Sequence, residues 1–331
     1  MALYLGQTDL DSLFAQGAVT SVDCIEAVQT SFLEQGREQV GVLPRQVMWA
    51  GPKLTAPRSR SLKISAAYMR QSRIMGASIY AVQYAPGGVD MWLTIFDGDT
   101  GQMLGVINSK QLSIWKTGAT GGGGAPVLAR PNAQRFALIG TGSYALAQLT
   151  FMTAIMNVER ISCYSRNQDS LRAFCKRAHS MLGIEVLAAQ SVFDAVKDAD
   201  VVTTITTSPT PVLMGNWLPE SVHCNVMGQH APSAREVDTQ AVLQSRVFVD
   251  ALTQAINEKG ELLLPIAEGA LTEEHVLGEL GAVLSGRCEG RRTPTERTMF
   301  LSGGTAFEYM GLCSMLLRKA AAAGIGHHLD P

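Results

Sequence analysis

The sequence predicts an α/β protein in which a doubly wound parallel sheet follows an α+β segment. Three observations carry this expectation. From residue 135 onward, short apolar runs alternate with helical stretches, the pattern of strands joined by crossover helices. Between residues 45 and 106, strand-like runs follow one another, separated by Pro, Gly and Ser turns. Finally, 46% of the 331 residues are hydrophobic and 17% are charged, which is enough apolar material for a large core and excludes a disordered chain.

Taken in order, Leu3–Leu5 reads as a short strand. Thr20-Ser-Val-Asp23 opens a helix, because Ile25, Val28 and Phe32 recur at helical spacing and Gly36 stops it. The runs 45–49, 62–66, 79–84 and 91–97 are strands, and Asp97-Gly-Asp-Thr-Gly101 makes a hairpin of 91–107. Leu112–Ala119 then leads into Gly121–Gly124. Each glycine weakens a helix by roughly 1 kcal/mol, so this stretch is either a loop or a helix packed very closely on a neighbour. Pro131-Asn-Ala133 marks a domain boundary near residue 130. Beyond it, strands at 136–140, 160–164, 185–189, 201–205, 222–227 and 247–250 alternate with helices at 143–157, 168–182, 191–197 and 234–244. Residues 306–323 form one long helix rich in small residues.

A net charge of −2 leaves no basic footprint for nucleic acid. No apolar run reaches about 18 residues, so no membrane span is expected. Met1–Gly6 lacks the basic start of a signal peptide. Cys24, Cys163, Cys175, Cys224, Cys288 and Cys313 include no C-x-x-C pair, so neither a metal site nor a disulfide framework is expected. Together these readings point to a cytoplasmic enzyme.

The most informative local motif is Gly140-Thr141-Gly142-Ser143-Tyr144-Ala145, a G-x-G-x-x-A directly after an apolar strand and at a helix start. This is the dinucleotide fingerprint of a Rossmann sheet. Gly140 permits the tight turn, Gly142 lets a pyrophosphate approach the backbone at the helix N-terminus, and Ala145 allows close helix–strand packing. The alternative is a tight turn with no ligand. The second strand ends in Ser165-Arg166-Asn167, without the carboxylate that commonly holds a ribose 2′-hydroxyl. A serine and an arginine suit a 2′-phosphate, so NADP(H) is favoured over NAD(H), unless Arg166 only stacks on adenine or faces solvent.

With the fingerprint placed, the chain from about Tyr4 to Gly326 resembles the ornithine cyclodeaminase/mu-crystallin family. The blocks that carry the resemblance occur in order: Leu62-Lys63-Ile64, Asp97–Gly101, Leu112-Ser-Ile-Trp-Lys116-Thr117-Gly-Ala119, the fingerprint, Thr204–Leu213, Val226–Glu236 and Thr298–Gly304. The resemblance implies an α+β substrate-binding and dimerisation domain (1–130, completed by the C-terminal helix, 305–331) and a Rossmann domain at 131–304. It also implies a homodimer and hydride transfer between a nicotinamide and the Cα of a small α-amino or α-imino acid.

By the same matching, Arg45 grips the substrate carboxylate, and Lys63 stabilises charge or donates a proton beside the reacting carbon. Lys116 stands where the family has arginine, and a lysine offers a point charge in place of a planar fork. His230 stands where cyclodeaminases place aspartate, and a histidine supplies no fixed negative charge for a distal ammonium. It can instead donate a proton, bind an acidic group, or have no chemical role. These departures favour an imine reductase or amino-acid dehydrogenase, with a dicarboxylic imino acid such as iminosuccinate among the candidate substrates. An ammonia-releasing cyclodeaminase and a mu-crystallin-like binding protein are the alternatives. Expected cofactor contacts are Thr117 at the start of a helix facing the pyrophosphate, Thr206 and Thr207 at the nicotinamide ribose, Met227 and Gly228 along the ring, and Ser302 and Gly303 at the carboxamide.

Overall fold

The structure, a computed structural model, describes residues 2–49, 61–82 and 89–329. It forms two compact units, one holding the chain up to Lys116 and again from Thr305, the other Thr117–Gly304.

The first unit contains β1 (Ala2–Leu5), α1 (Gln7–Ala15), α2 (Ser21–Gly36), β2 (Val40–Trp49), β3 (Ser61–Met69), β4 (Ile74–Val82), β5 (Val89–Asp97) and β6 (Met103–Asn108), and it contains the start of α3 (Lys110–Leu128). Strands β2 to β6 form an antiparallel meander, and β1 adds parallel to β6. Helix α2 begins as expected, with Thr20 accepting from Asp23 N and Asp23 reaching back to Thr20 N. Helix α1 was not read from the sequence, since Leu10 and Leu13 are its only buried apolar pair. Strand β4 starts five residues before the expected Ile79, and Gln83 and Tyr84 of that expectation lie outside the described residues.

Helix α3 settles the glycine run, which is helical throughout. A Cβ on Gly118 would stand 2.8 Å from the Phe151 ring, one on Gly121 2.6 Å from Gln148 Oε1, and one on Gly124 3.2 Å from Leu280. Those contacts place the second part of α3 in the second unit. The division therefore falls between Lys116 and Thr117 instead of near residue 130.

The second unit continues with β7 (Arg135–Ile139), α4 (Ala145–Ile155), β8 (Arg160–Tyr164), α5 (Gln168–Leu182), β9 (Glu185–Ala188), α6 (Val192–Val196), β10 (Val201–Thr204), β11 (His223–Val226), α7 (Thr239–Leu243), β12 (Arg246–Val249), α8 (Leu252–Glu258), α9 (Gly260–Ala267), β13 (Val276–Glu279), α10 (Leu280–Leu284) and β14 (Thr298–Leu301). All eight strands are parallel, in the order β13-β12-β14-β11-β10-β7-β8-β9. The chain steps outward from β7 through β8 to β9, then returns to the other side of β7 with β10, so the crevice at the β7/β10 strand ends is the topological switch point. The core lies on both sheet faces, with Ala137, Ile139, Val202, Val226 and Val249 on one and Phe136, Leu138, Ile161 and Cys163 on the other. The helix expected over 234–244 shrinks to α7, because Asp238 accepts from Ala241 N and starts it there.

Helix α11 (Ala306–Ala323) returns to the first unit, and β15 (His327–Leu329) pairs with β1. α11 lies on the seven-stranded sheet against α2, with Phe32 and Phe307 edge to face at 5.2 Å. Gly311 permits the crossing, since a Cβ there would lie 2.6 Å from Ala27 O. No helix among the described residues is long and apolar enough to cross a membrane.

Candidate functional site

The fingerprint loop sits at the switch point. Gly140 has φ +105°, a conformation side chains rarely adopt, and its N–H donates to Tyr164 O at 2.9 Å. A Cβ on it would lie 2.7 Å from Ile205 O, so the turn is held against the segment leaving β10. Gly142 and Ser143 are exposed, Thr141 and Tyr144 are half-buried, and a Cβ on Gly142 would meet nothing within 4 Å. Helix α4 starts at buried Ala145 with no side-chain cap and no acidic residue in its first turn. Ala145 N donates to Gly142 O at 3.0 Å, and the positive end of the helix dipole lies behind the exposed Gly142–Ser143 turn, an arrangement suited to a pyrophosphate.

Beyond β8, Ser165 is half-buried, and Arg166 and Asn167 are exposed. Asn167 caps α5 by accepting from Ser170 N at 2.9 Å. The next carboxylate, Asp169, is ion-paired to Arg172 at 2.6 Å. Thr117 does not begin a helix: α3 starts at Lys110, where Ser109 accepts from Gln111 N, and Thr117 lies two turns in with its carbonyl accepting from Gln148 Nε2.

The ends of β10, β11 and β14 carry a network that sequence reading did not assign. Glu236 is fully buried; one carboxylate oxygen accepts from Thr206 N and the other from Gly228 N, both at 2.6 Å. Burial pushes its carboxyl up, the Thr206 bonds pull it down, neighbouring Glu261 raises it and Lys259 lowers it. Lys259 is also fully buried; its Nζ donates to Gln229 O at 2.7 Å and to Ser302 O at 3.3 Å, and lies 3.5 Å from Glu261 Oε2. Glu261 in turn accepts from Glu236 N. Asp250, at the end of β12, accepts from the Ser302 hydroxyl, Gly303 N and Gly304 N. The donors expected to hold a carboxamide, on Ser302 and Gly303, thus serve this turn. Met227 is buried, Gly228 half-buried, and Thr207 and His230 exposed.

In the first unit, Arg45 lies in the register shift of β2, between Leu43 and Gln46, and is half-buried. Lys63, on β3, pairs with Val47 and Tyr80, and its Nζ stands 5.8 Å from the Tyr80 ring centroid. It alternates with Ser65, Ala67 and Met69, which places it on the sheet face that α11 covers. Lys116 is 4% exposed, with its Nζ 3.5 Å from Glu308 and 5.2 Å from the Tyr309 ring centroid. Glu308 also caps α11 by accepting from Thr305 N. Sequence reading missed Glu308, although Thr305-x-x-Glu308 is a capping-box spacing. Glu236 carried a signal as the last residue of the Val226–Glu236 block, whereas Lys259 and Asp250 carried none.

A sequence profile of the ornithine cyclodeaminase/mu-crystallin family matches residues 86–323. A curated relative, Δ1-pyrroline-2-carboxylate reductase of Bacillus thuringiensis subsp. konkukian, is 30% identical over 235 residues, covering 71% of this chain and 72% of the relative. The solved Δ1-pyrroline-2-carboxylate reductase of Thermococcus litoralis, in complex with NADH and L-proline, superposes with a TM-score of 0.90 at 26% identity, covering 99% of this chain and 100% of that one. An archaeal alanine dehydrogenase dimer with bound NAD has a TM-score of 0.89 at 23% identity, covering 99% of both chains, and speaks for the fold alone.

Proposed function

The chain belongs to the ornithine cyclodeaminase/mu-crystallin family, and from that premise we propose that it is an NAD(P)H-dependent reductase of a small α-imino acid, Δ1-pyrroline-2-carboxylate first, giving the L-amino acid or running in reverse as an amino-acid dehydrogenase. The observation that carries this reading is the uncapped α4 N-terminus facing the open Gly142 loop at the switch point, in a chain similar to Δ1-pyrroline-2-carboxylate reductases.

Reducing a C=N bond places a hydride on carbon and a proton on nitrogen. The dinucleotide, when bound, supplies the hydride. In this reading the α4 N-terminus with Gly140–Ala145 holds its pyrophosphate. Arg45 grips the substrate carboxylate, and Lys63 steadies the charge beside the reacting carbon or delivers the proton. Lys116 shares its charge with buried Glu308, which lessens its pull on a second carboxylate and puts Δ1-pyrroline-2-carboxylate ahead of iminosuccinate. Exposed Arg166, beside Ser165 and with Asp169 engaged by Arg172, favours NADP(H). Thr206, Thr207, Met227 and Gly228 serve the nicotinamide side. His230 in place of aspartate speaks against cyclisation with ammonia release.

A homodimer through the first unit is part of this reading. On the sheet face opposite α11, Leu43, Met48, Ile79 and Trp92 are 50%, 66%, 40% and 44% exposed. Ile79 and Trp92 pair directly across β4 and β5. So broad an apolar face calls for a partner.

The test is NADPH and NADH oxidation with Δ1-pyrroline-2-carboxylate, iminosuccinate, and pyruvate plus ammonia. Stoichiometric oxidation with the pyrroline is expected. Ammonia release from ornithine without net NAD(P)H change would transfer the assignment to a cyclodeaminase. Dinucleotide binding with no turnover of any of these would transfer it to a binding protein.

A further inference from the structure

Resting on the dinucleotide reading of the Thr117–Gly304 unit, we propose that Glu236 and Lys259 are positioning residues that together fix the nicotinamide half of the site, one through backbone N–H groups and the other through backbone carbonyls.

The argument starts where the sheet stops. The last ladder bonds between the inner strands run from Met227 N to Thr204 O and from Ser302 N to Val226 O. Past that point a parallel sheet has no bonds to set the spacing of its outgoing segments. Here side chains continue the ladder. Glu236 joins the segment after β10 to the segment after β11, through Thr206 N and Gly228 N. Lys259 joins the segment after β11 to the segment after β14, through Gln229 O and Ser302 O. Glu261 links the two clamps by accepting from Glu236 N and pairing with Lys259. The packing leaves no slack: a Cβ on Gly228 would stand 2.2 Å from Thr206 O and 2.6 Å from Glu236 Oε1.

The strand order says which half of a dinucleotide depends on this. β7 and β8 lie on one side of the switch point and carry Gly140–Tyr144 and Ser165–Asn167. β10, β11 and β14 lie on the other and form the second mononucleotide half. The clamps touch only the second.

The chemistry predicts which substitution exposes the clamp. Glutamine matches glutamate in shape but has one acceptor oxygen, so its NH2 must face either Thr206 N–H or Gly228 N–H, donor against donor. Glu236→Gln is therefore expected to weaken NADPH and NADH binding at least tenfold by calorimetry. Adenosine 2′,5′-bisphosphate and ADP, which lack nicotinamide, should bind within twofold of wild type. Lys259→Met/Glu261→Gln removes both charges of the second clamp together, keeps an acceptor for Glu236 N, and should give the same selective loss even if Glu236→Gln does not fold. Unchanged NAD(P)H affinity in the variants overturns the proposal, as does a parallel fall in adenosine-nucleotide affinity, which would mean general loosening. A wild-type chain that binds ADP but no NAD(P)H overturns the dinucleotide reading itself, and the proposal with it.

Discussion

Asp200→Asn tests how the switch point is built from its far end. Asp200 lies just before β10, 3% exposed, and gathers the start of β7. Its Oδ1 accepts from Arg130 Nη2 at 2.8 Å and Arg135 Nη2 at 3.0 Å, and its Oδ2 from Gln134 N and Arg135 N, both at 2.9 Å. Burial works to raise its carboxyl, but Arg135, the Gln134 N–H and Arg130 outweigh it and hold it at about 2 against an ordinary 3.8. With the partly exposed arginines screened by solvent, that depression corresponds to about 2 kcal/mol of stability at neutral pH. Asparagine keeps one acceptor for the backbone N–H groups but turns an NH2 toward two arginines. The arginine side chains are 30% and 48% exposed and can turn to water, so a loss of about 2–3 kcal/mol is expected. For a unit of this size that lowers Tm by about 4–12 °C. Because the folded pKa is depressed, the contribution is complete above pH 3.8 and is lost as pH falls toward 2. The gap in urea midpoint between wild type and variant should therefore close over that range. Affinity for NAD(P)H should be unchanged, since the Gly140 and Thr206 segments leave the opposite ends of these strands. A Tm within 1 °C of wild type, or a gap that does not narrow between pH 5 and pH 2.5, would refute the reasoning.

Three further outcomes follow from the geometry. Arg166→Ala should raise the NADPH KM about tenfold with little change for NADH, and the NADPH loss should shrink at high salt because Arg166 is exposed; equal effects on both cofactors would remove the 2′-phosphate role. Lys63→Met should lower kcat at least a hundredfold while leaving NAD(P)H affinity within twofold; unchanged turnover would remove Lys63 from the chemistry. Ile79→Glu with Trp92→Glu, on the face of the seven-stranded sheet opposite α11, should convert a dimer to a monomer in sedimentation, and a dimer that persists would place the interface elsewhere.

What was legible in the sequence is local. Gly140, Gly142 and Ala145 could be assigned because strand, turn and helix dictate each small residue within six positions. The glycine run could be narrowed to a loop or a closely packed helix, and only the contacts of Gly118, Gly121 and Gly124 decide between them. The position of Lys63 within an apolar run marked it. The network around the strand ends was not legible because its bonds span the fold: Glu236 reaches Thr206 over 30 residues, Lys259 reaches Ser302 over 43, and Asp250 reaches Gly304 over 54. Asn257-Glu-Lys-Gly-Glu261 has the composition of a solvated turn, yet topology carries Lys259 and Glu261 inside. The family resemblance places Ser302 and Gly303 at a carboxamide; in the structure their hydroxyl and N–H donate to Asp250.

Four buried charges of the Thr117–Gly304 unit share one logic. Asp200 collects two backbone N–H groups where β7 and β10 begin, Glu236 collects two past the ends of β10 and β11, and Asp250 collects two at Gly303 and Gly304. Lys259 does the converse with two carbonyls. In a chain with only 17% charged residues, these side chains stand where the ladder of a parallel sheet runs out. A neutral side chain of similar size offers fewer acceptors or donors at each place, and an unmet backbone group there costs about 1–3 kcal/mol. Charge is thus needed at these buried sites to define segments that the sheet alone leaves unspaced. At the end of β7 no such side chain stands: the α4 N-terminus there has no side-chain cap, and it is the place where the proposed function requires an external anion.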